Sequence, residues 1–240
     1  MTNNYIEQNL EFWNREYYAP NVAQYIFRLK PRLLDEYINF RGRKIFKVLD
    51  FGCGEGSNVK YLSDAYNFVP YGVDISTSSI RRCKSKMRKF KDNFKIIDPK
   101  PTISDEFFDT KFDLIISTQV LYYLSNEDMK LRLGNLKKML KTNGFVFFTM
   151  ASVRNDYWKI FSNQKVNSEG LTNVDLGSDV NYKKRQKQST YSHGINFVKN
   201  ESDLRKKFSA FREIKVGYYN DGSLHSTNLS AHHYTFFGKI

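Results

Sequence analysis

Cysteine and proline are scarce in this chain of 240 residues, which contains two cysteines and five prolines. Cys53 and Cys83 are too few for a disulfide framework, and neither stands in a C-x-x-C or other metal-ligand spacing. We therefore expect two reduced thiols in a reducing compartment and no bound metal.

Long apolar runs are also lacking. None approaches the roughly 20 residues that a membrane span requires, and residues 1–10 are polar, without the apolar core of a signal peptide. We expect no membrane partner and a cytoplasmic location. A chain of this length suits one α/β domain with a full hydrophobic core better than two enzymatic domains.

Acidic residues are outnumbered by basic ones, 25 to 38, which gives a net charge of +13. Such a balance can indicate nucleic-acid binding, but Lys, Asn, Ile, Phe and Tyr are abundant throughout, as a coding bias would produce. The densest basic run, Arg81–Lys95, surrounds an apolar stripe at helical spacing, formed by Ile80, Cys83, Met87 and Phe90. We interpret the run as the solvated face of a helix and regard nucleic acid as a disfavoured partner.

The central part of the chain alternates strand-like and helix-like stretches, the pattern that builds a parallel sheet covered by helices. Right-handed crossovers then predict a doubly wound sheet. The predicted strands are residues 45–51, 69–74, 94–97, 112–117 and 144–150, with helices at 58–66, in the basic run and at 127–140. Periodicity is lost after residue 150, and it returns with a helix at 204–211 and strands at 213–219 and 233–239.

The strongest motif is Val48–Gly56, where an apolar strand ends in an acid and three glycines at alternate positions. Glycines let the backbone approach a ligand closely, and the helix that follows presents unpaired N–H groups. Dinucleotide enzymes use a similar turn, but their G-x-G-x-x-G fingerprint requires a glycine where this sequence has Ser57. Here an acid, Asp50, stands two residues before the first glycine.

The D-x-G-x-G turn resembles motif I of the class I S-adenosylmethionine-dependent methyltransferases. The resemblance implies a Rossmann-like α/β fold, with a mostly parallel seven-stranded sheet, helices on both faces and the last strand antiparallel. It also implies S-adenosylmethionine as the cofactor, with its methionine part against Asp50, Gly52, Cys53 and Gly54.

The end of the second strand agrees with this resemblance. The family places an acid there on the ribose hydroxyls, here Asp74, and a following apolar residue against the adenine, here Ile75. A carboxylate can accept both hydroxyl protons of a ribose. The family also has an acid after the third strand, near the adenine amino group. Asp98 is the candidate, and a strand-end aspartate that makes a local turn is the alternative.

Two further motifs follow in the family's order. Lys111–Leu124 is similar to the fourth-strand motif F-D-L-I-x-S-x-x-V-L-x-H-L, with Tyr123 where histidine is common. Leu136–Gly144 resembles the family's L-K-P-G-G turn, with Thr142 and Asn143 in place of Pro and Gly. The residues at the end of the fourth strand that we assign to the cofactor site are Ser117, Thr118 and Gln119.

Methyl transfer to an alcohol requires a base, and a histidine pKa of about 6.5 suits that role. His193 lies after the fifth strand, in the region that the family uses for its acceptor pocket, so we predict that it is the general base. A packing histidine is the alternative. Tyr157, Tyr191 and His233 are the predicted acceptor contacts, and His232 and His233 alternate along a strand, so at most one of them faces the pocket.

We expect a single methyltransferase domain with four parts. Residues 1–43 form a helical lid, in which Phe12, Trp13, Tyr17 and Tyr18 either cover the cofactor or pack as an ordinary amphipathic helix. Residues 44–150 are the cofactor-binding core. Residues 151–200 are the acceptor-site insertion, and residues 201–240 are a C-terminal helix and strand pair.

The predicted function is methylation, on oxygen, of a small metabolite or glycan precursor. The long insertion can enclose a small molecule, and the basic residues Lys183, Lys184, Arg185 and Lys187 would suit a sugar nucleotide or another phosphate-bearing acceptor. This preference rests on fold-level analogy. The alternatives are methylation of RNA and a non-catalytic, regulatory protein that binds the cofactor without turnover.

Overall fold

The computed structural model describes residues 45–178, 192–220 and 230–240. The predicted lid with its four aromatic residues, the basic residues 183–187 and the candidate acceptor contact Tyr191 lie outside the described residues. None of the helices in the described part of the chain is both long and apolar enough to cross a membrane.

Most of the described strands lie in one sheet. The strands are β1 Lys47–Phe51, β2 Val69–Asp74, β3 Phe94–Ile96, β4 Phe112–Ser117, β5 Leu140–Ala151, β6 Thr172–Asp175, β7 Ser192–Ile195, β8 Arg212–Asn220 and β9 His232–Lys239. The main sheet has the order β3-β2-β1-β4-β5-β9-β8, and β6 pairs with β7 in a separate two-stranded sheet. Within the main sheet β9 is antiparallel to both of its neighbours, and the other described pairs are parallel. This topology confirms the predicted seven-stranded sheet with an antiparallel last strand.

Helices cover both faces of this sheet. The described helices are α1 Ser57–Tyr66, α2 Thr77–Lys86, α3 Asn126–Met139, the single turn α4 Asp156–Lys159 and α5 Glu201–Lys207. On one face, Val59 of α1 and Ile80 of α2 are buried in the same cluster as Leu114 of β4. On the other face, Leu133 of α3 and Leu204 of α5 share a second cluster with the opposite side chains of the sheet. The glycine turn that follows β1 therefore lies at the carboxyl edge of a sheet that is packed on both faces.

The central strands agree with the sequence-based prediction because they are short, largely apolar runs. All six residues of β4 are buried, which is typical of a parallel strand between two helical layers. At the edge, only Phe94 of β3 is buried, and the strand is one residue shorter than predicted.

Three predicted segments are corrected by the structure. The basic helix ends at Lys86, and Arg88–Asn93 is a separate 3-10 segment with non-helical dihedral angles at Phe90, so the apolar stripe does not continue to that residue. The late helix begins at Glu201, because the Asn200 side chain accepts a hydrogen bond from the backbone N–H of Asp203 and caps it there. The insertion at residues 151–200, in which the sequence shows no hydrophobic periodicity, contains the short elements β6, β7 and α4.

Gly72 generates a prediction about packing. A Cβ atom at this position in β2 would lie 2.7 Å from Sγ of Cys53 and 2.9 Å from Cδ1 of Phe94. Because overpacking a buried site costs about 1–3 kcal/mol, Gly72→Ala should lower the free energy of unfolding by about that amount in urea titrations.

The matched control is Gly134→Ala in α3, where an added Cβ meets no heavy atom within 4 Å. Replacement of a helical glycine by alanine should raise the free energy of unfolding by roughly 0.5–1 kcal/mol. Equal effects of the two substitutions would contradict the packing described for Gly72.

Candidate active site

The glycine turn joins β1 to α1 at the carboxyl edge of the sheet. The backbone N–H groups of Gly52 and Cys53 both donate to the carbonyl of Val73 in β2, at 2.8 and 3.0 Å. Gly52 has a φ of 79°, and a Cβ there would lie 2.3 Å from Cγ2 of Val120, so only glycine fits. Gly54 has a φ of 52° and open space around its Cα, which leaves room for a ligand against the backbone.

Asp50 is fully buried at the end of β1, beneath this turn. No hydrogen bond of normal geometry reaches either of its carboxylate oxygens from the described residues. Burial, together with the nearby charge of Asp74, raises the pKa of Asp50 to about 8, and the neighbouring amide of Asn58 opposes this shift. A buried carboxylate without a partner is costly. It fits the α-ammonium group of the methionine part of S-adenosylmethionine, which would supply both the charge and the missing hydrogen bonds.

Asp74 ends β2 and lies half-buried beside the turn. Its carboxylate accepts hydrogen bonds from the backbone N–H groups of Gly54 and Ser76, both at 2.8 Å. Burial raises the pKa of Asp74, and these backbone hydrogen bonds oppose the increase. The two contacts fix the orientation of the carboxylate, and each oxygen retains a lone pair for a ribose hydroxyl. Ile75, the predicted adenine contact, follows directly and is also half-buried.

The loop after β3 lies next to Asp74. The backbone N–H of Ile97 donates to the backbone carbonyl of Asp74 at 3.0 Å. The exposed Asp98 is the next residue in the chain and therefore lies near Asp74. The Asp98 side chain accepts from the backbone N–H of Lys100 at 2.8 Å. The local turn, which was the alternative for Asp98, is therefore present, and its contact with the adenine stays a prediction.

The end of β4 is tied to the glycine turn. Ser117 donates its hydroxyl proton to the carbonyl of Phe51 at 2.9 Å, and the Asn58 side-chain amide donates to the Thr118 hydroxyl at 3.0 Å. Gln119 has a φ of 59°, and its backbone N–H donates to the hydroxyl of Thr149 in β5 at 2.8 Å. These contacts brace the cofactor turn, and Gln119 lies on the side facing β5.

His193 lies on the small sheet formed by β6 and β7, with its side chain buried. Its ring meets the ring of Tyr123 edge-on at 6.4 Å between centroids. Tyr123 belongs to the short 3-10 turn Leu121–Tyr123 that follows β4, so the small sheet brings His193 to the carboxyl edge of the main sheet. Burial lowers the pKa of His193 to about 4, and the imidazole is therefore neutral at about pH 7.

A second group of rings lies beside the first. The ring of His233 in β9 stacks on Tyr219 of β8, with centroids 5.0 Å apart and planes inclined by 9°, and it lies 5.8 Å from the ring of Tyr122. The Nδ1 atom of His233 lies 2.8 Å from the carbonyl of Ala231. This nitrogen must donate, because a carbonyl only accepts, so Nε2 carries the lone pair in the neutral ring.

The two groups form one polar aromatic cluster, which we call the tyrosine cluster. Burial raises the pKa of Tyr122 well above its ordinary value, and the nearby phenols of Tyr123, Tyr219 and Tyr157 raise it further. The side-chain amide of Gln119 donates to the hydroxyl of Tyr219 at 3.3 Å. The members are Gln119, Tyr122, Tyr123, Tyr157, His193, Tyr219 and His233.

His232, by contrast, does not contribute to this cluster through the contacts described. It stacks on the exposed Tyr218 at 5.1 Å, and its Nδ1 lies 2.8 Å from the hydroxyl of Ser152. The alternation predicted for the two adjacent histidines is confirmed, with His233 against Tyr122. Among the described residues, no group of three or more His, Cys, Asp or Glu side chains could hold a metal ion.

Three members of the cluster were absent from the sequence-based site. Tyr122 and Tyr123 belong to the last part of the fourth-strand motif, so their position shortly after the strand was a usable signal. Tyr219 had no such signal, because its place beside His233 depends on the register of the β8 and β9 pair.

Comparisons with known proteins agree with this geometry. Residues 49–146 match a family model described as a methyltransferase domain. The chain is 30% identical to phosphoethanolamine N-methyltransferase of Plasmodium falciparum over 103 residues. The matched region covers 43% of this chain and 38% of that protein. The chain spans 28% to 60% of the lengths of the curated relatives that it matches.

Two solved structures match over nearly the whole chain. An S-adenosylmethionine-dependent methyltransferase from Clostridium acetobutylicum has a TM-score of 0.60 at 16% identity, with 92% of each chain covered. Magnesium protoporphyrin IX methyltransferase from Synechocystis, with bound SAH, has a TM-score of 0.58 at 16% identity, covering 98% of this chain and 99% of that one.

The fold and the glycine turn therefore define a Rossmann-like methyltransferase domain. The family model over residues 49–146 and the shared fold agree with the resemblance to the class I S-adenosylmethionine-dependent methyltransferases, whose cofactor is S-adenosylmethionine.

The buried carboxylate of Asp50 generates a prediction about cofactor binding. Because its pKa is about 8 in the free protein and an adjacent ammonium favours the ionised form, S-adenosylhomocysteine should release a proton on binding at about pH 7. Its affinity should then rise with pH, by at most tenfold for each pH unit, between about pH 6 and 8. Calorimetry in buffers of different ionisation enthalpy measures the proton release.

Asp50→Asn should abolish this proton release and weaken binding by at least about tenfold. The folded protein holds a proton on Asp50 that the unfolded chain loses above about pH 4, so Asp50 lowers stability as the pH rises toward 8. The variant should therefore gain stability relative to the wild type over that range. The control is Asp113→Asn, since Asp113 is buried but paired with Lys141 at 2.7 Å; it should lose stability and keep its affinity.

Proposed function

We propose that this protein transfers the methyl group of S-adenosylmethionine to a hydroxyl oxygen of a small-molecule acceptor. The observation that carries the proposal is the unpartnered, buried carboxylate of Asp50 under the glycine turn. The tyrosine cluster stands at the same carboxyl edge of the sheet, where an acceptor would meet the cofactor. A group that would bind the donor and a polar aromatic surface that would contact the acceptor thus lie at one edge of the sheet.

The chemistry asks the protein chiefly for alignment. When bound, S-adenosylmethionine supplies a methyl group already activated by a positively charged sulfur. Asp50 would hold the ammonium end of the cofactor, and Asp74 would accept the ribose hydroxyl protons. The rings of the tyrosine cluster would orient the acceptor and exclude water, so that attack in line with the departing sulfur is favoured. As the oxygen bonds to carbon, its proton must leave for a base.

We propose that His193 is that base. Its imidazole is neutral at about pH 7 and can accept a proton, although the burial that lowers its pKa to about 4 also makes it a weaker base than an exposed histidine. His233 has its lone pair on Nε2 and its ring clamped against Tyr219, which suits it to accept a hydrogen bond from the acceptor. Tyr157 contributes a phenol near that of Tyr122. Tyr191 remains a proposed acceptor contact on sequence alone.

The small-molecule class is supported by the names of two relatives. Phosphoethanolamine N-methyltransferase and a 28% identical protein, tocopherol O-methyltransferase of Arabidopsis thaliana, both name small acceptors. We retain small metabolites and glycan precursors as the proposed acceptors. The named members of the tyrosine cluster include no lysine or arginine, so a phosphate-bearing acceptor would need basic residues outside it, such as those at 183–187.

Turnover tests this proposal directly. The full-length protein would be incubated with methyl-labelled S-adenosylmethionine and a panel of phenols, sugar nucleotides and phosphoethanolamine, and S-adenosylhomocysteine formation measured. Acceptor-dependent product with label on oxygen supports the proposal. Label on nitrogen contradicts the choice of oxygen. Cofactor binding without product contradicts catalysis, and RNA methylation with an affinity that falls steeply with salt favours RNA as the acceptor.

Two histidine variants separate the proposed roles. His193→Ala should lower kcat by about 100-fold or more and leave the affinity for S-adenosylhomocysteine unchanged. His233→Ala should raise the acceptor KM more than it lowers kcat. Because the pKa of His193 is about 4, wild-type kcat should not depend on its titration between about pH 6 and 8. Normal turnover by His193→Ala would remove this residue from the mechanism.

A further inference from the structure

Arg132 of α3 is a buried cation, with only 1% of its surface exposed. Its guanidinium lies between two aromatic rings, 5.3 Å from the centroid of Phe51 and 5.5 Å from that of Phe107. Burial lowers the pKa of Arg132, and the charge of Asp105 opposes the decrease. A solvent-facing helix position would be cheaper for a charged side chain, so its place in the interior requires an explanation.

The polar contacts of Arg132 all lead to one segment, residues 98–107. Nη1 donates to the carboxylate of Asp105 at 2.7 Å, and Nη2 donates to the backbone carbonyl of Asp98 at 3.1 Å. Asp105 in turn accepts from the backbone N–H of Thr102 at 3.0 Å, so the guanidinium and Asp105 together fix both the beginning and the middle of the segment.

Both ends of this contact network lie close to the carboxyl edge of the sheet, where the proposed cofactor site is. Phe51, under the guanidinium, immediately precedes Gly52 of the cofactor turn. On the other side, the carbonyl of Asp98 follows Ile97, whose backbone N–H donates to the carbonyl of Asp74. Arg132 therefore connects the end of β1 to the loop that stands beside the ribose acid, although it lies beneath that edge.

We propose that Arg132 is a positioning residue, which holds residues 98–107 against the adenine end of the bound cofactor. The inference rests on the cofactor of the proposed function and is independent of the acceptor. Removal of one partner of a buried ion pair is destabilising when the other charge stays buried, but Asp105 keeps enough exposure to be hydrated alone, with 20% of its side chain accessible. In Arg132→Met the free energy of unfolding and the cofactor affinity are measured together, so that a loss of positioning can be told from a loss of stability.

The test compares two probes by calorimetry, S-adenosylhomocysteine and S-inosylhomocysteine, in which the adenine amino group is replaced by a carbonyl oxygen. In Arg132→Met we expect about tenfold weaker binding of S-adenosylhomocysteine, equivalent to about 1.4 kcal/mol. We also expect the preference for the adenine probe to decline, because Asp98 loses its support. The matched control is Lys138→Met, since exposed Lys138 donates from the same helix to the carbonyl of Ile103 at 3.2 Å; it should retain both values.

Three results would overturn this inference. The first is a folded Arg132→Met protein with wild-type affinity, and the second is an equal loss for both probes, which indicates only a general structural change. If Arg132→Met does not fold, Asp105→Asn removes the ion pair alone, and wild-type binding by that variant is the third. Failure of the wild-type protein itself to bind S-adenosylhomocysteine would instead refute the proposed function.

Discussion

The glycine turn packs closely against the ends of β2 and β4, and the geometry of the proposed cofactor site depends on this close approach. The turn donates two backbone hydrogen bonds to one carbonyl, that of Val73, and Val120 occupies the volume that a side chain at Gly52 would need. On β2, Gly72 leaves room for the thiol of Cys53. Because neither Gly52 nor Gly72 has space for a Cβ atom, the backbone itself forms the floor of the proposed ligand site.

This floor contains an acidic group whose charged form the folded protein accommodates poorly in the absence of a ligand, because burial raises the pKa of Asp50 to about 8. Asp50 has no hydrogen-bond partner among the described residues, and Asn58 retains an unpartnered amide oxygen beside it. Such groups oppose folding and favour ligand binding, because the ligand supplies the missing partners. The packed clusters on both faces of the sheet supply the stability that this arrangement requires.

Helix α3 links the two halves of the site. Its first residue, Asn126, donates its backbone N–H to Glu169 just before β6, and its side chain accepts from Asn196 just after β7. Two turns further along, Arg132 holds the loop that begins at Asp98. One helix thus contacts the small sheet that carries His193 and the loop beside Asp74, so the proposed donor and acceptor regions share a common support.

The sequence by itself determined the central sheet, the glycine turn and the acid at the end of β2. These features are local, since a buried parallel strand is an apolar run and a cofactor turn is a short motif of fixed spacing. The sequence pattern is too weak to predict a helix end that a single capping residue sets, such as Asn200. It is also too weak to predict short paired strands such as β6 and β7. Only the tertiary structure decided the tyrosine cluster, because Tyr122, Tyr219 and His233 meet through strand register and sheet order. It also decided the burial of Arg132, because its aromatic and carbonyl partners lie far away in the sequence and no local pattern indicates them.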